Sequence, residues 1–278
     1  MMNGQKILIT GGTGNTGRRI AERLAAQGRA VRTGSRGAPR SNAFEHVRFD
    51  WDDTSTHGPA LDGVGAVYLV APLPVLDPTP QMLPFIERAL ESGVRRLVLL
   101  SSSAIPENSS GLGEVHGAVK ALAPEWAVLQ PSWFMQNFTE GMHRRTIETD
   151  GTIISATGTG RVAFVDAGDI AAVAAHALTD ETPHNTAHVI TGPEALTYAE
   201  VAAILSQVTG KTVTHQNVSP AQLAERLASV GLPQDYAEFL AGLDEGIARG
   251  SEDRVTDTVE SVTRRAPRSF MDLANASF

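Results

Sequence analysis

The 278-residue chain has no cysteine, which excludes disulfides and thiolate metal sites and fits a reducing compartment. Aromatic residues are scarce, at 5% against 42% hydrophobic overall. The core must therefore be built mainly from Ala, Val, Leu and Ile, which suits helices packed on a parallel sheet. An excess of positive charge is also missing. The formal net charge is −8, and without a basic stripe nucleic acid is not an expected partner. No apolar run reaches the length of a membrane span, so no membrane partner is expected. A strand pattern begins within the first few residues and leaves no room for a signal peptide, which gives a cytoplasmic protein as the expectation. The eight histidines show no zinc-type helix spacing. His184 and His188 are four apart, but Pro183 and Asn185 place them in a turn, and no metal is expected. The length allows one large α/β domain, or one with a small appendage.

What is present is concentrated at the N-terminus, in Lys6-Ile-Leu-Ile-Thr-Gly-Gly-Thr-Gly-Asn-Thr-Gly17. Four β-favouring residues run into a glycine cluster, and an amphipathic helix pattern with Ile20 and Leu24 follows at once. Glycine lets the backbone take positive φ and approach a ligand closely, and the N–H groups opening the next helix point at whatever rests on the turn. A pyrophosphate suits that place. The spacing fits Gly12-x-Gly14-x-x-Gly17 and Gly11-x-x-Gly14-x-x-Gly17, both phosphate-loop forms of dinucleotide-binding folds. Gly11, Thr13, Gly14, Asn15, Thr16 and Gly17 are the candidate contacts.

A second strand, residues 30–34, ends where such folds meet the adenosine ribose. An acid there selects a free 2′-hydroxyl and an arginine accommodates a 2′-phosphate. The sequence offers Arg32, Ser35, Arg36 and Arg40, with no acid before Glu45. A planar guanidinium pairs well with phosphate, so NADP(H) is the expected cofactor, with Arg36 the leading candidate and Ser35 beside it. Asp50, just past the third strand, could accept from the adenine amino group, whereas Asp52 and Asp53 read equally well as helix caps. A continuously apolar fourth strand, 65–71, ends at Pro72-Leu-Pro74, where strand order should reverse. A fifth, 96–100, delivers Ser101 to the same crevice.

A helix over 113–123 carries His116-x-x-x-Lys120, which puts both side chains on one face. These are the candidate catalytic residues; a solvated lysine and a buried histidine are the plain alternative. After a sixth strand, 126–130, comes Pro131-Ser-Trp-Phe-Met-Gln-Asn-Phe138. Pro131, Ser132 and Trp133 are expected around the cofactor's reactive ring, and Trp133, Phe134 and Asn137 along an apolar substrate pocket. Phe138 reads as an anchor for the following helix, and Asp169 as the N-cap of an Ala-rich one. Amphipathic helices are expected near 197–208, 219–230 and 233–249, with an extended run at 212–218. The fate of 264–278 stays open.

The glycine loop, Ser101–Ser103, His116-x-x-x-Lys120, the 131–138 segment and Phe164-Val-Asp-Ala-Gly-Asp-Ile170 occur in that order. The series resembles the NmrA-like branch of the atypical short-chain dehydrogenases/reductases over nearly the whole chain. The resemblance implies a Rossmann-type, doubly wound parallel sheet with a small, mostly helical C-terminal substrate-binding part. It places an NADP-binding core at 1–131 plus 161–192 and a substrate-binding part at 132–160 plus 193–278. Short-chain dehydrogenases protonate a carbonyl with the Tyr of a Tyr-x-x-x-Lys pair. Here His116 stands at the Tyr place, Lys120 matches the lysine, and Tyr68, Tyr198 and Tyr236 lie elsewhere. The expected activity is hydride transfer from NADPH to a small apolar or aromatic acceptor with a C=N, conjugated C=C or quinone group. An NADP(H) redox sensor, or a cyclase or isomerase that retains the cofactor, are the other classes the resemblance admits. The small-molecule substrate is the main partner expected, and a homodimer is the candidate assembly.

Overall fold

The computed structural model describes residues 5–37 and 43–278. Arg40 lies outside the described residues. In chain order come β1 (Lys6–Thr10), α1 (Asn15–Ala26), β2 (Val31–Ser35), β3 (Glu45–Arg48), α2 (His57–Leu61), β4 (Val64–Val70) and α3 (Thr79–Glu91). Next are β5 (Arg96–Leu100), α4 (Leu112–Leu122), β6 (Glu125–Pro131), α5 (Gln136–Thr139), α6 (Met142–Asp150), β7 (Thr152–Ser155) and β8 (Arg161–Val162). Then follow α7 (Ala167–Thr179), β9 (Thr186–Ile190), β10 (Leu196–Thr197), α8 (Tyr198–Thr209) and β11 (Thr214–Asn217). Helices α9 (Pro220–Ser229), α10 (Gln234–Ala248), α11 (Thr258–Thr263) and α12 (Phe270–Ser277) complete the chain. Two compact units result: Met1–Gln130 with Ala167–Val189, and Pro131–Asp166 with Ile190–Phe278.

The first unit is built on a parallel sheet of order β3-β2-β1-β4-β5-β6-β9. The order reverses direction between β1 and β4, which gives the doubly wound pattern and its crevice. Strand β4 is buried at every position but its last, because helices cover both faces of the sheet. Leu8, Val67, Leu69, Leu97, Leu99 and Val128 point to one face and pack with Met82, Phe85 and Ile86 of α3 and Val115 and Val119 of α4. On the other face α1 lies against α7, whose alanines let the two helices come close.

Arg32, one of the ribose-side candidates, is used for structure instead. It is buried, and its Nη1 donates to the carbonyls of Pro59 (3.2 Å), Ala60 (2.9 Å) and Asp62 (2.7 Å). Those are orphan acceptors at the end of α2, and Nη2 pairs with Glu45 at 2.8 Å. Asp169 also differs from expectation. Helix α7 already begins at Ala167, so Asp169 sits inside its first turn, where a carboxylate still faces the positive end. Asp53 does cap, accepting from Ser55 N–H at the head of a short 3-10 turn.

The second unit holds two small sheets, β7 with β11 in parallel and β8 with β10 antiparallel. Its core is an aromatic cluster. Phe138 lies 5.2 Å from Phe164, 5.3 Å from Phe270 and 5.7 Å from Tyr198, centroid to centroid. Phe138 is fully buried, so it anchors, and deleting such a ring costs roughly 3–5 kcal/mol. The C-terminal stretch packs back: α12 buries Phe270, Leu273 and Ala274 and contacts α8. Helices α9 and α10 form a hairpin with Leu223, Leu227, Ala237 and Ala241 between them. No helix among the described residues is long and apolar enough to cross a membrane.

Candidate functional site

The turn between β1 and α1 is held by its own backbone. Gly11 has φ of 62°, its carbonyl accepts from Gly14 N–H at 2.9 Å, and Gly12 N–H donates to Gly34 O at 3.1 Å. A Cβ on Gly12 would stand 2.6 Å from Thr33 Cβ, and one on Gly17 would collide with the Gly11 carbonyl. These two glycines let helix α1 close onto the strand. Gly14 differs: the nearest atom to a Cβ there is Gly11 O at 3.2 Å.

Outside this turn lies a cavity of about 480 Å³ in the first unit. Its walls come from the carboxyl ends of four adjacent strands. Gly11, Thr13 and Gly14 follow β1, Gly34 to Gly37 close β2, Phe49 to Asp52 follow β3, and Val70 to Leu73 with Val75 follow β4. Of the sequence candidates, the cavity brings together Gly11, Thr13, Gly14, Ser35, Arg36, Asp50 and Pro72. Asn15, Thr16 and Gly17 stand behind it; Thr16 is buried and its hydroxyl accepts from Tyr68 at 3.1 Å. Ser35 Oγ donates to Gly37 O at 3.1 Å. Sequence reasoning passed over Trp51, whose indole N–H donates to Val70 O at 3.1 Å and fixes the ring as a wall. Its signal was an aromatic residue three positions past the end of β3.

The cavity suits a dinucleotide. It offers side-chain-free backbone at Gly11 and Gly14, the N-terminus of a 12-residue helix, a guanidinium at Arg36 and carboxylates at Asp50 and Asp52. Oxygen-rich phosphate fits the helix end, and the flat wall of Trp51 fits a base.

Ser101, His116 and Lys120 belong to the same unit. Ser101 Oγ is buried and meets no hydrogen-bond partner among the described residues; neither do the two ring nitrogens of His116. Burial pushes the His116 pKa down, with Glu107, whose Oε2 lies 3.9 Å from Nε2, pulling it the other way. Lys120 is half exposed, and its ammonium donates to both Glu107 oxygens, at 2.9 and 3.1 Å. A proton donor already engaged by a carboxylate at the surface is poorly placed to act alone.

The 131–138 segment belongs to the second unit. Pro131 and Ser132 are buried; Ser132 N–H donates to Ile190 O at 2.9 Å and its hydroxyl to Glu252 at 3.3 Å. Trp133 and Asn137 line a second cavity of about 120 Å³, with Met142, His143, Ile154, Tyr198, Leu223, Leu227, Leu240, Leu243 and Asp244. Phe134 does not line it; its backbone bridges Val165. Asp244, from α10, is not among the residues that sequence pattern singles out. Among the described residues, no group of three or more His, Asp or Glu is arranged to hold a metal.

A model of the NmrA-like family matches residues 3–270. The chain belongs to the NmrA-like family. It is 48% identical over 276 residues to YesF, an uncharacterized oxidoreductase of Bacillus subtilis, covering 99% of this chain and 96% of that one. Agroclavine dehydrogenase of Claviceps fusiformis is 37% identical over 97% of this chain and 96% of its own length. Among solved structures, an NADPH-dependent quinone oxidoreductase of Escherichia coli superposes with a TM-score of 0.79 at 25% identity, covering 97% of this chain and 98% of that one. This NmrA-like chain is an oxidoreductase of the atypical short-chain dehydrogenase/reductase type.

Proposed function

We propose that this NmrA-like protein is an NADPH-dependent reductase delivering hydride to a small apolar or aromatic acceptor with an imine or iminium, conjugated C=C or quinone group. The observation that carries the reading is the cavity whose wall includes a bare glycine turn, the guanidinium of Arg36 and the indole of Trp51. In this reading Gly11, Thr13 and Gly14 hold the pyrophosphate from the backbone. Asn15, Thr16 and Gly17 keep the helix end in place behind it. Arg36, with Ser35 alongside, takes the 2′-phosphate through its planar fork. Asp50 accepts from the adenine amino group, and Pro72 closes the edge where the strand order reverses. When bound, the nicotinamide supplies the hydride, so the protein's task is to position and to exclude water.

The acceptor class follows from the acid–base groups. Lys120 is engaged by Glu107, and burial keeps His116 neutral. Neither group is a ready acid near neutrality. An electron-poor acceptor such as an iminium carbon takes hydride with little protonation, which supports that class over a simple ketone. The comparisons support a small-molecule acceptor too: one relative is named agroclavine dehydrogenase, and one solved structure is an NADPH-dependent quinone oxidoreductase. The experiment is NADPH consumption by the purified protein against a panel of imines, quinones and simple ketones. Turnover with imines or quinones and none with simple ketones is expected; no turnover with any acceptor overturns the reading.

A further inference from the structure

The smaller cavity holds one charged group. Asp244 is buried among leucines on α10, at 8% exposure. One carboxylate oxygen accepts from Ala156 N–H at 2.8 Å. No side chain among the described residues makes a hydrogen bond or ion pair to the carboxylate, so it lines the cavity without a cation. Burying an ionised carboxylate this way is costly unless something pairs with it. The other polar groups in the wall are equally unspent. The Tyr198 hydroxyl, the His143 ring, the Asn137 amide and the Trp133 indole N–H make no hydrogen bond within the described chain. Around them stand Met142, Ile154, Leu223, Leu227, Leu240 and Leu243. A volume near 120 Å³ admits a fragment about the size of one ring.

From this arrangement we infer that the cavity binds the apolar, ring-sized part of a cationic amine or iminium ligand, with Asp244 as its counter-ion. A quinone or neutral alkene leaves the carboxylate unpaired; a positively charged nitrogen pairs with it, and the aromatic faces of Trp133 and Tyr198 add cation–π attraction. The other titratable groups around Asp244 do not compete for this role. His143 of α6 is pushed down to about 4 and His215 of β11, whose ring lies tilted 5.6 Å from that of Tyr198, is also lowered, both by burial, so both are neutral at pH 7. Tyr198 of α8 is held protonated, its pKa raised well above 10 by burial and then by the Asp244 charge. Asp244 itself is pushed up to about 6 by burial, the behaviour of a carboxylate awaiting a partner. The inference rests on the reductase reading in one respect, that the ligand of this cavity is the acceptor, and it narrows that acceptor to a cation.

The test needs neither cofactor nor turnover. Benzylamine, protonated at pH 8, and benzyl alcohol, its neutral counterpart, are titrated into the full-length protein by calorimetry, without NADPH. Benzylamine is expected to bind at least tenfold more tightly, about 1.4 kcal/mol. In Asp244→Asn, which keeps an oxygen to accept from Ala156 N–H, that preference is expected to vanish. Equal affinities in the unmodified protein overturn the inference, as does a preference that survives in a folded Asp244→Asn. Should Asp244→Asn not fold, the comparison in the unmodified protein still decides. The two readings fail separately. Quinone turnover without amine preference sinks only the counter-ion, and amine preference without NADPH binding sinks only the reductase.

Discussion

His116 is the residue with most to explain. A histidine whose two ring nitrogens are buried with no hydrogen-bond partner among the described residues costs the fold the desolvation of two polar groups. Natural proteins retain such a group where it serves a ligand or a reaction. His116→Phe removes that cost with a ring of similar size. The unfolding midpoint is therefore expected to hold or rise, while kcat/KM for the best acceptor falls at least tenfold because a ligand contact, not a proton donor, is lost. Unchanged kcat/KM in a folded His116→Phe would assign the histidine to packing alone. Arg36 makes the opposite case, since it is exposed at the cavity wall and makes no hydrogen bond or ion pair among the described residues. Its contribution belongs to the ligand. Titration should show NADPH binding at least tenfold more tightly than NADH, about 1.4 kcal/mol, and Arg36→Ala should shrink that gap. Equal affinity for both cofactors in the unmodified protein would remove Arg36 from the site.

At the scale of elements, the junction of β1 and α1 separates two uses of glycine. A methyl on Gly17 meets the Gly11 carbonyl and has to lift α1 from the strand. Gly17→Ala is expected to lower stability by roughly 1–3 kcal/mol, as overpacking does, and to weaken NADPH binding with it. Gly14 has no backbone atom closer than 3.2 Å to a Cβ and lies on the cavity wall. Gly14→Val should cost less stability than Gly17→Ala and lose cofactor affinity. Retained affinity in a folded Gly14→Val would put the cofactor elsewhere. This junction was legible in the sequence because strand, turn and helix are contiguous and each reads locally. So were the apolar run of β4 and the aromatic anchor Phe138. Arg32 could not be read that way. Alternation along β2 does not reveal that its side chain meets the end of α2, a helix nearly thirty residues on. Asp244 was invisible for the same reason: it reaches Ala156 across 88 residues, and on an amphipathic helix an aspartate reads as solvated. Sequence pattern reports which face is apolar; it does not report which distant carboxylate that face encloses.

Over the whole molecule, acid resistance is set partly by groups that cannot ionise in place. His188 in the first unit and His143 in the second are each held down to about 4 by burial, with a neighbouring histidine adding to it. Their unfolded-state value is 6.5. Between these limits the unfolded chain binds more protons, so both histidines make stability fall as pH drops from about 6.5 toward 4. Asp244 acts in the opposite sense. Its folded value near 6 lies above 3.8, so its contribution is full below 3.8 and is lost as pH rises through 6. Two histidines against one aspartate leave a net acid loss from these three. The urea stability measured at pH 4.5 should lie below that at pH 7, and His188→Gln and His143→Phe should each narrow the difference by roughly 1–2 kcal/mol. An undiminished difference in both variants would place the acid sensitivity elsewhere. The placement of the three tryptophans has another consequence. Trp51 lines the larger cavity, Trp133 the smaller one, and Trp126 packs against the core of the first unit. Each cavity thus carries its own fluorophore. With Trp126→Phe and one further replacement, the protein becomes a single-emitter sensor, and the filling of either cavity can be followed by light alone, with no label and no reaction.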